Sequence, residues 1–144
     1  MSLVGLNRCL NLCAQLAAPF CLFLIMATPA LSQTTSGEPT PQEAVTELIQ
    51  AMEAKDAERI RAVFAEEASQ RYGDGQPKTG DRFRAWLQSD IIAAEGRVAD
   101  PVVSADGSAV TVTGEYRNKN NYRSAANFLF EVAGGKITSW TMRY

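Results

Sequence analysis

This sequence predicts an α+β domain, with helices gathered in its first half and an antiparallel sheet in its second. Two observations carry that expectation. Apolar residues recur at helical spacing from Val45 to Ile91, and beyond Gly96 the period drops to two and stays there to the last residue. A third observation bounds the domain. The first 32 residues have the layout of an export signal and not of a folded layer.

That leading segment combines one basic residue (Arg8), an apolar run over residues 16–26, and the small-residue ending Ala30-Leu31-Ser32. The layout predicts a signal peptide over residues 1–32, cut after Ser32, and a periplasmic or secreted protein that keeps no membrane segment. An uncleaved anchor is the competing reading. Against it, Pro19 and Pro29 interrupt the run, which falls short of the roughly 20 apolar residues a spanning helix needs. All three cysteines (Cys9, Cys13 and Cys21) lie inside the signal, and the chain has no histidine. The exported part would therefore have neither thiol nor imidazole. That removes cysteine nucleophiles, histidine bases, His/Cys metal sites and disulfide staples, and no cofactor or metal is expected.

Removing residues 1–32 takes away Arg8 and no acidic residue, so the remaining 112 of 144 residues carry 13 basic and 16 acidic side chains. A chain of that length buries roughly two-thirds of its unfolded surface in one core, so one domain is expected. The mildly acidic balance points away from nucleic acid and from anionic membrane surfaces. Residues 33–40, rich in Thr, Ser, Gly and Pro, read as a flexible leader, and the domain proper spans 41–144.

Thr40-Pro41-Gln42-Glu43 predicts a helix start, with Thr40 as cap, Pro41 in the first turn and Glu43 reaching back to close a capping box. Val45, Leu48, Ile49 and Met52 then form one stripe. Asp56 caps a second helix in which Ala57, Ile60, Val63 and Phe64 share a face, and Ala54-Lys55 leaves room only for a tight bend. Residues 69–72 read as a short strand closed by the turn Gly73-Asp74-Gly75. A third helix follows Thr79 or Gly80 and buries Phe83, Trp86, Leu87 and Ile91. Four strands complete the chain: 97–104, 109–117, 122–132 and 136–144. Ala105-Asp106-Gly107-Ser108, Asn118-Lys119-Asn120-Asn121 and Gly134-Gly135 are the turns between them. Alternation puts Val110, Val112, Gly114 and Tyr116 on one face of their strand, Ser124, Ala126, Phe128, Phe130 and Val132 on one face of the next, and Trp140, Met142 and Tyr144 on one face of the last.

The helical pair over 43–64, the Gly-Asp-Arg-Phe opening of the third helix and the closing stretch NFLFEVAGGKITSWTMRY resemble the nuclear transport factor 2-like (NTF2-like) superfamily in its SnoaL-like branch. The match extends over about residues 41–144. The resemblance implies a cone-shaped, cystatin-like fold, three N-terminal helices packed in a curved antiparallel sheet, with a cavity inside. It also implies a homodimer through the outer sheet face. The superfamily hosts isomerases, dehydratases, cyclases and hydrolases beside members that only bind or scaffold, so fold alone does not assign a reaction. This chain departs from the steroid-isomerising members, having no tyrosine in its first helix, and from members that dehydrate with histidine.

The candidate pocket residues are Tyr72, Trp86, Tyr116, Trp140 and Tyr144. An apolar pocket edged by hydroxyl and indole donors would suit a flat hydrophobic small molecule; the plainer alternative is that these rings fill the core. Asp74, Asp90, Asp100 and Glu115 are the acids near apolar stretches, and a carboxylate serves as a base near neutral pH only when its surroundings raise its pKa. Asp74 lies between two glycines, which is ordinary turn chemistry. The hairpin over 116–123 interleaves three cations with two tyrosines and reads as a solvated tip rather than a nucleic-acid grip. The expected function is an exported, homodimeric small-molecule-binding or scaffold domain without catalysis. An isomerase, dehydratase or cyclase using a pocket carboxylate and tyrosine is the alternative.

Overall fold

The computed structural model describes residues 37–143. The expected signal peptide, the first part of the leader and Tyr144 lie outside the described residues. Thr40 and Glu43 form the capping box read from the sequence: Thr40 N donates to Glu43 Oε2 at 2.8 Å and Glu43 N donates to Thr40 Oγ1 at 3.3 Å. Helix α1 (Pro41–Glu53) follows, burying Ala44, Val45, Leu48, Ile49, Ala51 and Met52 along one stripe. Lys55, at positive φ, makes the tight bend, and Asp56 Oδ1 accepts from Glu58 N and Arg59 N to start α2 (Ala57–Ala62). Glu38 and Pro39, placed in a flexible leader by composition, pack over Gly135, where a Cβ would come within 2.7 Å of Pro39 Cδ.

Here the sequence reading needs its first correction. Val63 and Phe64 are not the end of the second helix. Strand β1 runs from Phe64 to Tyr72, five residues earlier than the short strand expected. The cause is tertiary. Phe64 is in register with Ile137 of a parallel partner strand, and Ile137 N donates to Val63 O at 2.9 Å. A partner more than 70 residues away overrides a helical spacing that only local periodicity supports.

After the edge strand β2 (Lys78–Thr79), α3 (Gly80–Trp86) runs directly into a π-helical turn, Leu87–Ile92, which the sequence did not signal. The three expected helices are thus present, but the second has only six residues and the third changes pitch halfway. Strands β3 (Arg97–Asp106), β4 (Ala109–Arg117), β5 (Arg123–Ala133) and β6 (Lys136–Met142) form the antiparallel meander that was expected. The whole sheet has six strands in the order β2-β1-β6-β5-β4-β3. It is mixed, because β1 lies parallel to β6. The expected all-antiparallel sheet is corrected by that pairing.

Val110 and Val112 of β4, Phe128 and Phe130 of β5, and Ile137 and Trp140 of β6 point to the same side as α1, and all are buried. The sheet bends where β3 carries an irregularity between Ala99 and Val102, with Asp100 at positive φ. At that bend Gly114 passes so close that a Cβ would lie 2.7 Å from Ala99 O. Trp140 sits at the centre of the core, fully buried, with Phe64, Trp86, Phe128 and Phe130 around it. Trp140→Ala is expected to destabilise the domain by about 3–5 kcal/mol, read as a lowered denaturation midpoint in urea.

Candidate functional site

At one end of the sheet the packing stops short of the rim and leaves a cavity of about 830 Å³. Its walls come from three places. Tyr72 of β1 and Met142 of β6 are cross-strand partners on one side. Trp86, Ser89, Asp90, Ile91 and Ala94, from α3, the π turn and the residues after it, form the second. Tyr116, the Asn118–Tyr122 turn, Ser124 and Phe128 form the third.

Each polar group on these walls is placed by a specific contact. Trp86 Nε1 donates to Tyr72 Oη at 2.9 Å, fixing indole and phenol edge to edge. Lys78 lies 4.4 Å from the Tyr72 ring centroid and donates to Gln70 Oε1 at 3.0 Å. Within the π turn the backbone donors reach past the usual partner, Ala93 N to Gln88 O and Gly96 N to Ile91 O, while Glu95 N bonds Ile92 O. The Asp90 carbonyl is instead met by a side chain: Tyr116 Oη donates to it at 2.9 Å. Only glycine at position 96 leaves room for that phenol, since a Cβ there would lie 2.4 Å from Tyr116 Oη.

The Tyr116 hydroxyl is pushed up to about 12, mainly by burial, with the Asp90 carboxylate adding to the shift and Asn118 opposing it. It stays protonated through the physiological range, and its proton is held by the Asp90 carbonyl. Asp90 itself is exposed, and Ser89 Oγ donates to its Oδ2. Asn118 Oδ1 accepts from Asn120 N and Tyr122 N, which folds the turn so that Tyr122 meets Tyr116 edge to face at 6.2 Å.

Of the five candidate pocket residues, the structure brings Tyr72, Trp86 and Tyr116 together on the cavity wall. Trp140 lies one row deeper, beneath Trp86 and Phe128 at 5.2 and 5.3 Å, and takes no part in the wall. Tyr144 is outside the described residues. Among the acids, Asp90 reaches the cavity, whereas Asp74 is exposed on its turn and Asp100 on the bulge of β3. Glu115 is held below the usual carboxylate range by its hydrogen bond from Arg117 and also pairs with Arg123. Ser89, Asn118, Asn120, Tyr122, Ser124 and Met142 were not singled out as wall residues. Strand alternation carried a signal for Ser124 and Met142; the π turn and the Asn turn left none.

A family described as a SnoaL-like domain matches residues 45–140. None of the curated proteins matches the chain. Among solved structures, an NTF2-like protein of unknown function from Cytophaga hutchinsonii is similar with a TM-score of 0.63 and 18% identity, covering 74% of this chain and 91% of that one. A candidate polyketide cyclase from Pseudomonas putida is 27% identical with a TM-score of 0.56, covering 73% and 91%. A candidate ketosteroid isomerase from Kribbella flavida is 14% identical with a TM-score of 0.60, covering 72% and 76%. These likenesses show an NTF2-like fold.

The raised Tyr116 pKa gives the site a pH signature. A group whose folded pKa lies above its unfolded value of 10.0 contributes stability that is complete below that value and lost as pH climbs toward about 12. Tyrosinate absorbance at 295 nm should show a late step with a midpoint at pH about 12. Tyr116→Phe should remove that late step and flatten the loss of stability above pH about 10.

Proposed function

The chain belongs to the SnoaL-like domain family, and from that premise we propose that it is an exported module that binds a flat, largely apolar small molecule in its cup. The cavity of about 830 Å³, walled by Tyr72, Trp86, Tyr116, Tyr122 and Phe128, is the single observation that carries this reading. Its size lies within the range of small-molecule sites, which run to roughly 300–1,000 Å³. The five aromatic rings offer faces for apolar contact, and polar groups on the same wall orient the occupant. The likeness to a candidate polyketide cyclase at 27% identity supports a polycyclic or otherwise planar occupant.

Binding is favoured over catalysis by how the polar groups are engaged. An oxyanion donor must offer its proton to the substrate, and the Tyr116 proton already goes to the Asp90 carbonyl. The second reading, an isomerase, dehydratase or cyclase, draws on the placement of Asp90 and Tyr116 on adjoining walls. It would require that hydrogen bond to break during turnover. Export rests on the sequence of residues 1–32 alone. Pairing of two copies through the outer sheet face is part of the same proposal.

The neutral fluorescent probe N-phenyl-1-naphthylamine should bind the purified domain at one site per chain with micromolar affinity. Ser124→Phe, which fills the cavity from its half-buried wall, should weaken that binding at least tenfold while the melting temperature holds. Equal probe binding by the plugged variant would count against the cup as the site. Intact mass of the protein from the exported fraction should correspond to residues 33–144, and retention of residues 1–32 would remove the export half.

A further inference from the structure

The cup carries one carboxylate on its wall, Asp90, and one cation at its rim, Arg143. Asp90 Oδ2 accepts from Ser89 Oγ, whereas Oδ1 has no partner among the described residues, and no Lys or Arg pairs with this carboxylate. Arg143 touches the rim, but its guanidinium donates from Nε to Asn127 Oδ1 and from Nη2 to Thr111 Oγ1. Those residues alternate along their strands with the inward Phe128, Val110 and Val112. Arg117 and Arg123 are held by Glu115, Lys55 by Glu95, and Lys78 by Gln70 and the Tyr72 ring. The Asp90 charge is felt inside the cup, since it helps to hold Tyr116 in its protonated form.

A carboxylate beside electron-rich aromatic faces is a cation-recognising arrangement. The ring faces attract positive charge, and the carboxylate accepts a charge-assisted hydrogen bond. From the juxtaposition of Asp90 with the Tyr116–Tyr122 pair, we propose that the occupant of this cup is an organic amine, a planar apolar body ending in a protonated nitrogen. The ammonium N–H donates to Asp90 Oδ1 in front of the two tyrosine rings, while the body lies against Trp86, Phe128 and Met142. No bond is made or broken. This inference rests on the binding reading above and adds the charge of the ligand to it.

The test uses three naphthalene probes of matched size, measured by calorimetry on the full domain at neutral pH and low salt: 1-naphthylmethylamine, 1-naphthalenemethanol and 1-naphthoic acid. The amine should bind at least tenfold more tightly than the alcohol and the acid most weakly, with added salt narrowing the gap. Asp90→Asn should bring the amine to within about threefold of the alcohol, with the fold checked by circular dichroism. Asp106→Asn, which removes an exposed charge on the β3–β4 turn at the other end of the sheet, should leave the preference for the amine in place and serves as the control for net charge. An alcohol that binds as well as the amine, or an amine preference that survives Asp90→Asn, overturns this inference and leaves the cup as a binding site. Absence of binding by all three probes overturns both.

Discussion

The indole of Trp140 packs on Phe64, Trp86, Phe128 and Phe130 at centroid distances between 5.0 and 6.2 Å. Those rings belong to β1, α3 and β5, so one side chain ties the two sides of the sheet to the helix that covers its open end. The parallel pairing of β1 with β6 makes this possible, because it brings Phe64 and Gln70 alongside Ile137 and Trp140. Above Trp140 the next row is Tyr72 and Met142, and both line the cavity. The packing ends there and the cavity begins. The cup is therefore the edge of the core, with the same aromatic residues serving as core filling below and as wall above.

The second organising feature is the π turn after α3. A regular helix continued from Trp86 would commit its carbonyls to the amides four residues on. The wider turn leaves the Asp90 carbonyl to Tyr116, and Asp90 lines the cavity. Tyr116 thereby pins a helical segment to the middle of the sheet, and Gly96 is the residue whose missing Cβ makes space for it. Irregular helical turns often sit at functional sites. Here the irregularity sets Asp90 on the cavity wall beside Tyr116.

Much of the architecture was legible in the chain. The capping box at Thr40 and Glu43, the stripe of α1, and the two-residue period of β4, β5 and β6 are local patterns, and each formed as local physics demands. What local patterns could not resolve was the identity of Phe64. Its spacing from Ile60 suits a helix face, yet it enters a strand because Ile137 and Trp140 offer it a partner and a stacking surface. The π turn was hidden for a related reason. Leu87 and Ile91 fit an α stripe, and the pitch changes where Tyr116, arriving from β4, bonds the Asp90 carbonyl.

The site divided in the same way. Strand alternation alone put Tyr116, Ser124, Phe128 and Met142 on the inward face, since a period of two assigns side chains to faces without knowledge of the partner strand. The sequence by itself thus determined which residues face inward and, through its lack of histidine, which chemistries are absent. Only the tertiary structure decided which inward residues are covered. Trp140 and Met142 share a face, and one is core while the other is wall, because the row at which helix α3 stops covering the sheet is set by packing between distant segments.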